Sequence, residues 1–329
     1  MNRVAVIGAG GWGTALANLM ASKGHPVALW GYEPPLVEML RETRVNTPFL
    51  PGVRLHDAVA PTADMAQAVD GAELLLVVPP SKGMRGVAGR LAAVAARGTI
   101  VSFTKGIEQG SGLRMSEILR EALPGNAIAV LSGPSHAEEV ALSMPTAVVL
   151  GCEDAGLAAE VQLALNSQTF RVYTSTDVAG IELGGALKNI FAIAAGVSDG
   201  LGFGDNSKAA LVTRSLVELI RLGTALGGRK ATFRGLSGIG DLMVTCFSQH
   251  SRNRAVGERI GRGETPEQIA ASMQMVAEGV PTALSAYECA RKHGVDTPVI
   301  DAVYGLLYKG KSPREVLSEI LSREPKPEE

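Results

Sequence analysis

Four apolar residues, Val4-Ala-Val-Ile7, run straight into Gly8-Ala-Gly10-Gly11-Trp12-Gly13 and on into Thr-Ala-Leu-Ala. A short strand, a Gly-x-Gly-x-x-Gly turn and a helix in immediate succession leave few folds open. The first glycine makes a tight turn, and the second lets backbone N–H groups approach a pyrophosphate. The third brings the helix close to the strand, so that its N-terminus meets the negative charge. The motif carries weight only in a strand–turn–helix context. That context is present, and a second apolar run, Val27-Ala-Leu-Trp30, follows at the spacing of a βαβ unit. The expected cofactor is therefore a dinucleotide, held around Gly8, Gly10 and Gly13.

An NAD-selective site places an acid at the end of the second strand, about 20 residues past the glycines. Gly31 stands there, followed by Tyr32 and Glu33. With no carboxylate at the strand end a 2′-phosphate is not repelled, which favours NADP(H) with NAD(H) tolerated. Glu33 remains within reach of a ribose from the loop.

The first half alternates apolar runs with helical patterns. Strands are expected at 4–7, 27–30, 73–78, 99–102, 127–131, 147–151 and 169–173, and helices at 12–23, 34–41, 84–96, 115–121, 137–142 and 155–165. Such alternation argues for a largely parallel sheet covered on both faces. After about residue 177 the strand signals stop, and helices are expected at 177–197, 207–226, 258–263, 282–293 and 296–307. The predicted fold is α/β: an N-terminal Rossmann-type, doubly wound sheet domain over 1–178 and an all-helical domain over 179–329, with the ligand site between them. The charged, proline-rich tail at 323–329 is expected to fray.

The 329 residues include 31 basic and 33 acidic ones, so no global field points to nucleic acid or a membrane. Cys152, Cys246 and Cys289 are scattered, as are the five histidines, and none has metal-ligand spacing. No metal is expected, and the thiols fit a reducing compartment. The N-terminal apolar run is too short for a signal peptide, and no uninterrupted apolar stretch reaches membrane-spanning length. A cytoplasmic protein without stable membrane insertion is expected.

Candidate chemistry centres on Lys188, inside Ile181-Glu-Leu-Gly-Gly-Ala-Leu-Lys188-Asn189-Ile-Phe-Ala-Ile. A helix apolar on nearly all sides offers an ammonium little water, and burial moves a lysine pKa towards neutrality. The helix alone leaves open a stem that snorkels to the surface. Lys105 follows the strand expected at 99–102, where strand ends form the ligand crevice of a doubly wound sheet. In Ser132-Gly133-Pro134-Ser135-His136-Ala137-Glu138, Ser135 reads as a helix N-cap with Glu138 completing a capping box. Asp241, in Gly238-Ile-Gly-Asp241-Leu-Met-Val-Thr245, is set against an apolar run and requires a cationic partner or a helix N-terminus, with Lys188 the obvious partner. Ser251-Arg252-Asn253 at a helix start suits a phosphate, although a hydroxyl in that place is also an ordinary cap.

These segments, together with Thr104-Lys105-Gly106, Gly184-Gly-Ala-Leu-Lys188-Asn189 and Gly200-Leu-Gly-Phe-Gly-Asp-Asn206, occur in the order of one family and span nearly the whole chain. The chain closely resembles the bacterial NAD(P)-dependent sn-glycerol-3-phosphate dehydrogenases. The resemblance implies reversible hydride transfer between NAD(P)H and dihydroxyacetone phosphate, giving a glycerophospholipid precursor. It implies Lys188 as general acid/base, Lys105 polarising the carbonyl, and Asp241, Asn189 and Thr245 in support. The substrate phosphate is expected at Arg252 and Asn253, with Gly133, Ser135 and Ser251 completing its site. Cofactor contacts are expected at Gly11, Trp12, Tyr32, Lys105, Ala137, Arg252, Val276 and Glu278. Gly11 replaces a hydroxyl residue and Tyr32 a histidine or arginine found in many members. A homodimer is the family's habit.

Two rivals have different chemistry. A hydroxy-acid or sugar-acid dehydrogenase shares the glycine turn but recognises a carboxylate. A dinucleotide sensor without turnover has no role for Lys105, Lys188 and Asp241 together.

Overall fold

The structure is a computed structural model that describes residues 3–273, 275–324 and 327. Among them are eight strands: β1 (Val4–Ile7), β2 (Val27–Trp30), β3 (Val59–Thr62), β4 (Leu74–Val77), β5 (Thr99–Ser102), β6 (Ile128–Ser132), β7 (Thr146–Gly151) and β8 (Phe170–Ser175). They form one sheet in the order β3-β2-β1-β4-β5-β6-β7-β8, with every neighbouring pair parallel except β6 and β7. Each residue of β1 is buried, and its side chains alternate between two cores. Val4 and Val6 face one, Ala5 and Ile7 the other. The helices α1 (Gly11–Ser22), α2 (Pro34–Thr43), α3 (Met65–Val69), α4 (Met84–Ala93), α5 (Met115–Ala122), α6 (Ala137–Ala141) and α7 (Ala155–Leu165) accompany the strands. The doubly wound expectation holds.

β3 is absent from the sequence reading because Pro61 interrupts its pattern. It is an edge strand paired only to β2, where a missing N–H is tolerated. Short α3, capped by Asp64 on the N–H groups of Ala66 and Gln67, is too brief to show a period.

The second half is helical: α8 (Val178–Gly200), α9 (Asp205–Ala225), α10 (Lys230–Phe233), α11 (Asp241–Phe247), α12 (Arg252–Gly261), α13 (Pro266–Ser272), α14 (Gly279–Lys292), α15 (Pro298–Tyr308) and α16 (Pro313–Leu321). A single π-type turn, Leu236–Gly240, leads into α11. Asp177 starts α8, accepting from the N–H groups of Gly180 at 3.0 Å and Arg229 at 2.8 Å. α8 is long and apolar enough to cross a membrane by length and composition, although Glu182 and Lys188 interrupt its apolar run. Yet 89% of its apolar window is buried inside the protein, as the central helix of this half. α12 crosses it at backbone contact. A Cβ on Gly196 would fall 2.0 Å from the Arg254 carbonyl oxygen, and one on Gly257 1.9 Å from that of Ile193. Only glycine permits this approach.

Candidate functional site

The carboxyl ends of β1, β4, β5 and β6 lie side by side in the sheet, and the loops that leave them form one rim of the site. Gly8 turns the chain at φ 126°, and its absent Cβ would lie 3.0 Å from the backbone of Val78. A Cβ on Gly13 would lie 1.8 Å from the Gly8 carbonyl oxygen, so strand and helix meet without side chains between them. At Gly10, by contrast, a Cβ would meet nothing within 4 Å. Gly10 is also the N-cap of α1 and offers no side-chain cap, which leaves the first N–H groups of the helix open to an anion. Tight glycines at the turn and an open one over the helix N-terminus fit the pyrophosphate of a dinucleotide.

Gly11 is constrained differently. The backbone of Phe49 passes over it, with the carbonyl oxygen 2.7 Å from where its Cβ would be. Tyr32 is 62% exposed on the rim beyond β2, edge-on to Trp30 and under the guanidinium of Arg90. Trp12 packs edge-on against Phe103 and Phe170, and so belongs to the core as well as to the rim.

Lys188 does not snorkel. It is 6% exposed, and its Nζ donates to Asp241 Oδ1 and, at 2.7 Å, to Thr245 Oγ1. The Thr245 hydroxyl donates its own proton to the Asp241 carbonyl oxygen, four residues back, so its lone pair faces the lysine. Lys105 reaches the other carboxylate oxygen, donating to Asp241 Oδ2 at 2.7 Å and to the Gly133 carbonyl at 3.1 Å. Glycines make this convergence possible. A Cβ on Gly184 would strike the Ser237 carbonyl oxygen at 2.3 Å, so α8 lies against the π-type turn that presents Asp241. Burial brings the Lys188 ammonium down to about 7, the nearby Lys105 charge acting in the same direction and Asp241 opposing both.

The remaining expected residues divide. Gly133 turns at φ 140°, and its carbonyl receives both Lys105 and the Ser135 hydroxyl, the latter at 2.9 Å. Ser135 is therefore not the N-cap of α6. His136 occupies that position, and no side chain caps the helix. The Ser135 hydroxyl instead satisfies a carbonyl two residues away within its own turn. Ser251 is the N-cap of α12, accepting from Arg254 N at 3.2 Å, and is buried. Asn253 donates to Asn189 Oδ1 at 2.9 Å and accepts from Gly279 N at 2.8 Å, tying α8, α12 and α14 together. Exposed Arg252 donates to the Val276 carbonyl at 3.0 Å, which brings those two expected cofactor contacts together. Glu278 is spent differently, accepting from Ser81 N at 2.9 Å and from the Ser81 hydroxyl. Burial raises its carboxyl pKa. Ala137 opens α6 beside Gly11.

Sequence reasoning missed three residues here. Ser132 points its hydroxyl at Asp241 Oδ2 from 3.5 Å. His136 holds a buried Nε2 with no partner, and burial and the Lys188 charge push its imidazole down to about 4. Arg90 stands over Tyr32. The first two lie in a segment already singled out at the end of a strand. Arg90 carries no sequence signal at all.

Comparison with known proteins agrees with this geometry. Family models for the N-terminus and the C-terminus of NAD-dependent glycerol-3-phosphate dehydrogenase match residues 3–158 and 177–318. A glycerol-3-phosphate dehydrogenase [NAD(P)+] from Geobacter sp. (strain M21) is 51% identical over 330 residues, covering 99% of this chain and 98% of that one. One from Geobacillus kaustophilus is 47% identical over 333 residues, covering 100% and 96%. Among solved structures, the glycerol-3-phosphate dehydrogenase of Coxiella burnetii superposes with a TM-score of 0.94 at 37% identity, covering 98% of this chain and 99% of that one. A ketopantoate reductase from Ralstonia eutropha, with a TM-score of 0.61 at 18% identity, covers 96% of this chain and 99% of that one and shares the fold alone. On the strength of both domain models and full-length relatives at half identity, the chain belongs to the NAD-dependent glycerol-3-phosphate dehydrogenase family.

Proposed function

We propose that this protein reversibly reduces dihydroxyacetone phosphate to sn-glycerol 3-phosphate with NAD(P)H, with Lys188 as the general acid/base. The observation that carries this reading is the buried Lys188 ammonium, fixed by Asp241 and Thr245 beside the Lys105 charge. Reduction of a ketone builds negative charge on oxygen, and a positioned ammonium both stabilises that charge and protonates it. A pKa about 7 matches this task near neutral pH. Lys105 polarises the carbonyl and keeps Lys188 acidic, while Asp241 orients both amines.

The dinucleotide would be held at Gly8, Gly10, Gly11, Trp12 and Gly13 over the N-terminus of α1, and at Tyr32, Ala137, Arg252, Val276 and Glu278 along the rim. When bound, it supplies the hydride. Arg252, Asn253 and Ser251 at the start of α12, with Gly133 and Ser135 across the cleft, would receive the phosphate. Holding that group away from the reacting carbon gives the binding energy that aligns it. Residues 1–178 act as the dinucleotide unit and 179–329 as the substrate unit, a division supported by the end of β8 at Ser175 and the start of α8 at Val178.

The test is oxidation of NADPH and NADH by wild type and Lys188→Ala, with dihydroxyacetone phosphate and with small keto acids. Turnover of the phosphorylated ketone that collapses in the variant supports the assignment. Turnover of keto acids alone, or turnover that survives the substitution, overturns the substrate or the acid respectively.

A further inference from the structure

We infer that Arg90, held against the ring of Tyr32, is the residue that recognises the 2′-phosphate of NADPH and sets the coenzyme preference of this protein. The inference deepens the dehydrogenase reading above and rests on its dinucleotide site. The end of β2 is where a carboxylate would bind the ribose hydroxyls of NADH and repel a phosphate there. Here that position is Gly31, and a side chain cannot take it. Its Cβ would lie 2.7 Å from Val37 Cγ2 and 3.3 Å from Ala9 Cβ. The next residue, Tyr32, turns its ring outward, edge-on to Trp30 with centroids 6.1 Å apart. Over that ring, 5.0 Å from its centre, stands the guanidinium carbon of Arg90 from the last turn of α4.

Arg90 comes from a different βα unit, so no sequence spacing announces it. Its role follows from what it lacks. Arg85, earlier on the same helix, is committed to Glu108 at 2.7 Å and Glu121 at 3.0 Å. Among the described residues Arg90 makes no ion pair and no side-chain hydrogen bond, and its guanidinium lies over the ring of Tyr32. Glu33, the adjacent acid, forms no ion pair with it either. An aromatic face holds a guanidinium by its π electrons while leaving its N–H fork free. That fork matches a phosphate in two parallel hydrogen bonds. Tyr32 is then a platform that orients Arg90, which explains an aromatic residue on the rim without a partner for its hydroxyl among the described residues.

The experiment measures binding apart from turnover. Wild type, Arg90→Ala, Arg90→Lys and Tyr32→Leu are titrated calorimetrically with 2′,5′-ADP and with 5′-AMP, and kcat/KM is measured for NADPH and NADH with dihydroxyacetone phosphate. Arg90→Ala is expected to weaken 2′,5′-ADP by about tenfold or more, the strength of a charge-assisted contact, with 5′-AMP changed by less than about twofold. The loss with NADPH should appear in KM rather than kcat. Arg90→Lys keeps the charge without the fork, and Tyr32→Leu removes the platform, so both should fall between wild type and Arg90→Ala. Unchanged 2′,5′-ADP affinity in Arg90→Ala, equal losses for both nucleotides, or a wild type that favours 5′-AMP and NADH would each overturn the inference. Arg90-dependent 2′,5′-ADP binding in a protein that does not reduce dihydroxyacetone phosphate would leave it standing and overturn the proposed reaction instead.

Discussion

Asp241 holds Lys188 on one carboxylate oxygen and offers the other to Lys105 at 2.7 Å, so a single buried acid separates two cations. Two ammonium groups that close would repel without it. The carboxylate raises the protonated share of Lys188 at a given pH, against burial and the Lys105 charge.

Replacing Asp241 by Asn leaves the shape and removes the charge. The Lys188 pKa, already brought to about 7, then falls further, because burial and Lys105 both lower it and Asp241 is what raises it. Ketone reduction needs the protonated amine, so the wild-type rate should fall as pH rises through about 7. In Asp241→Asn that limb should move to lower pH, with kcat/KM reduced about 100-fold or more at pH 7. A pH–rate profile checks both; an unmoved limb would detach Asp241 from Lys188.

Lys105→Met should shift the same limb the other way. Removing the neighbouring cation lets the Lys188 pKa rise, so activity persists to higher pH even as the maximal rate drops. Opposite displacements in the two variants, read in the same assay, are the expected signature of a shared carboxylate.

Much of this arrangement is legible in the sequence, and the rest is not, for physical reasons. The glycine turn, the buried lysine and the strand ends carry local patterns that survive into the fold. The capping boxes of α13, Thr265 with Gln268, and of α16, Ser312 with Glu315, are equally local and signal helices that periodicity alone passes over. Ser132, His136 and Arg90 owe their positions to elements distant in sequence. Asn253 is the instructive case. Its place at a helix start suggests a ligand group, but not that its oxygen and one amide hydrogen also bond Gly279 and Asn189, leaving the second amide hydrogen for a ligand.

The crossing of α8 and α12 should be intolerant of a single methyl group. Gly257→Ala would place a carbon 1.9 Å from the Ile193 carbonyl oxygen, and overpacking of this kind costs about 3 kcal/mol. Gly86 in α4 is the control. Nothing lies within 4 Å of its missing Cβ, so Gly86→Ala should stabilise by about 0.5–1 kcal/mol. Chemical denaturation of both variants tests the contrast. Equal effects would mean the crossing relaxes.

Glu218 gives stability its own pH dependence. Its carboxylate accepts from the N–H groups of Val299 at 2.9 Å and Ile300 at 2.8 Å at the start of α15, yet burial raises its pKa to about 7. A folded-state pKa above the unfolded value means the acid form is favoured by folding. This contribution is complete below about 4.5 and is lost as pH rises towards about 7. Unfolding free energy measured between pH 5 and 8 should fall by an amount on the order of 1 kcal/mol from this group. The slope should flatten in Glu218→Gln; an unchanged slope would assign it elsewhere.

The glycine contact between α8 and α12 has a consequence for selectivity. Lys188 rides on one of these helices and Arg252 and Asn253 on the other, and their backbones touch with no side chain between them to yield. In the proposed reaction the proton donor and the phosphate anchor are thus the two jaws of a locked caliper. Movement of the nucleotide half can bring a hydride to the substrate, but it cannot change the gap between those jaws. A ketone with its phosphate one carbon nearer or farther would be rejected by the gauge itself, before any closure takes place.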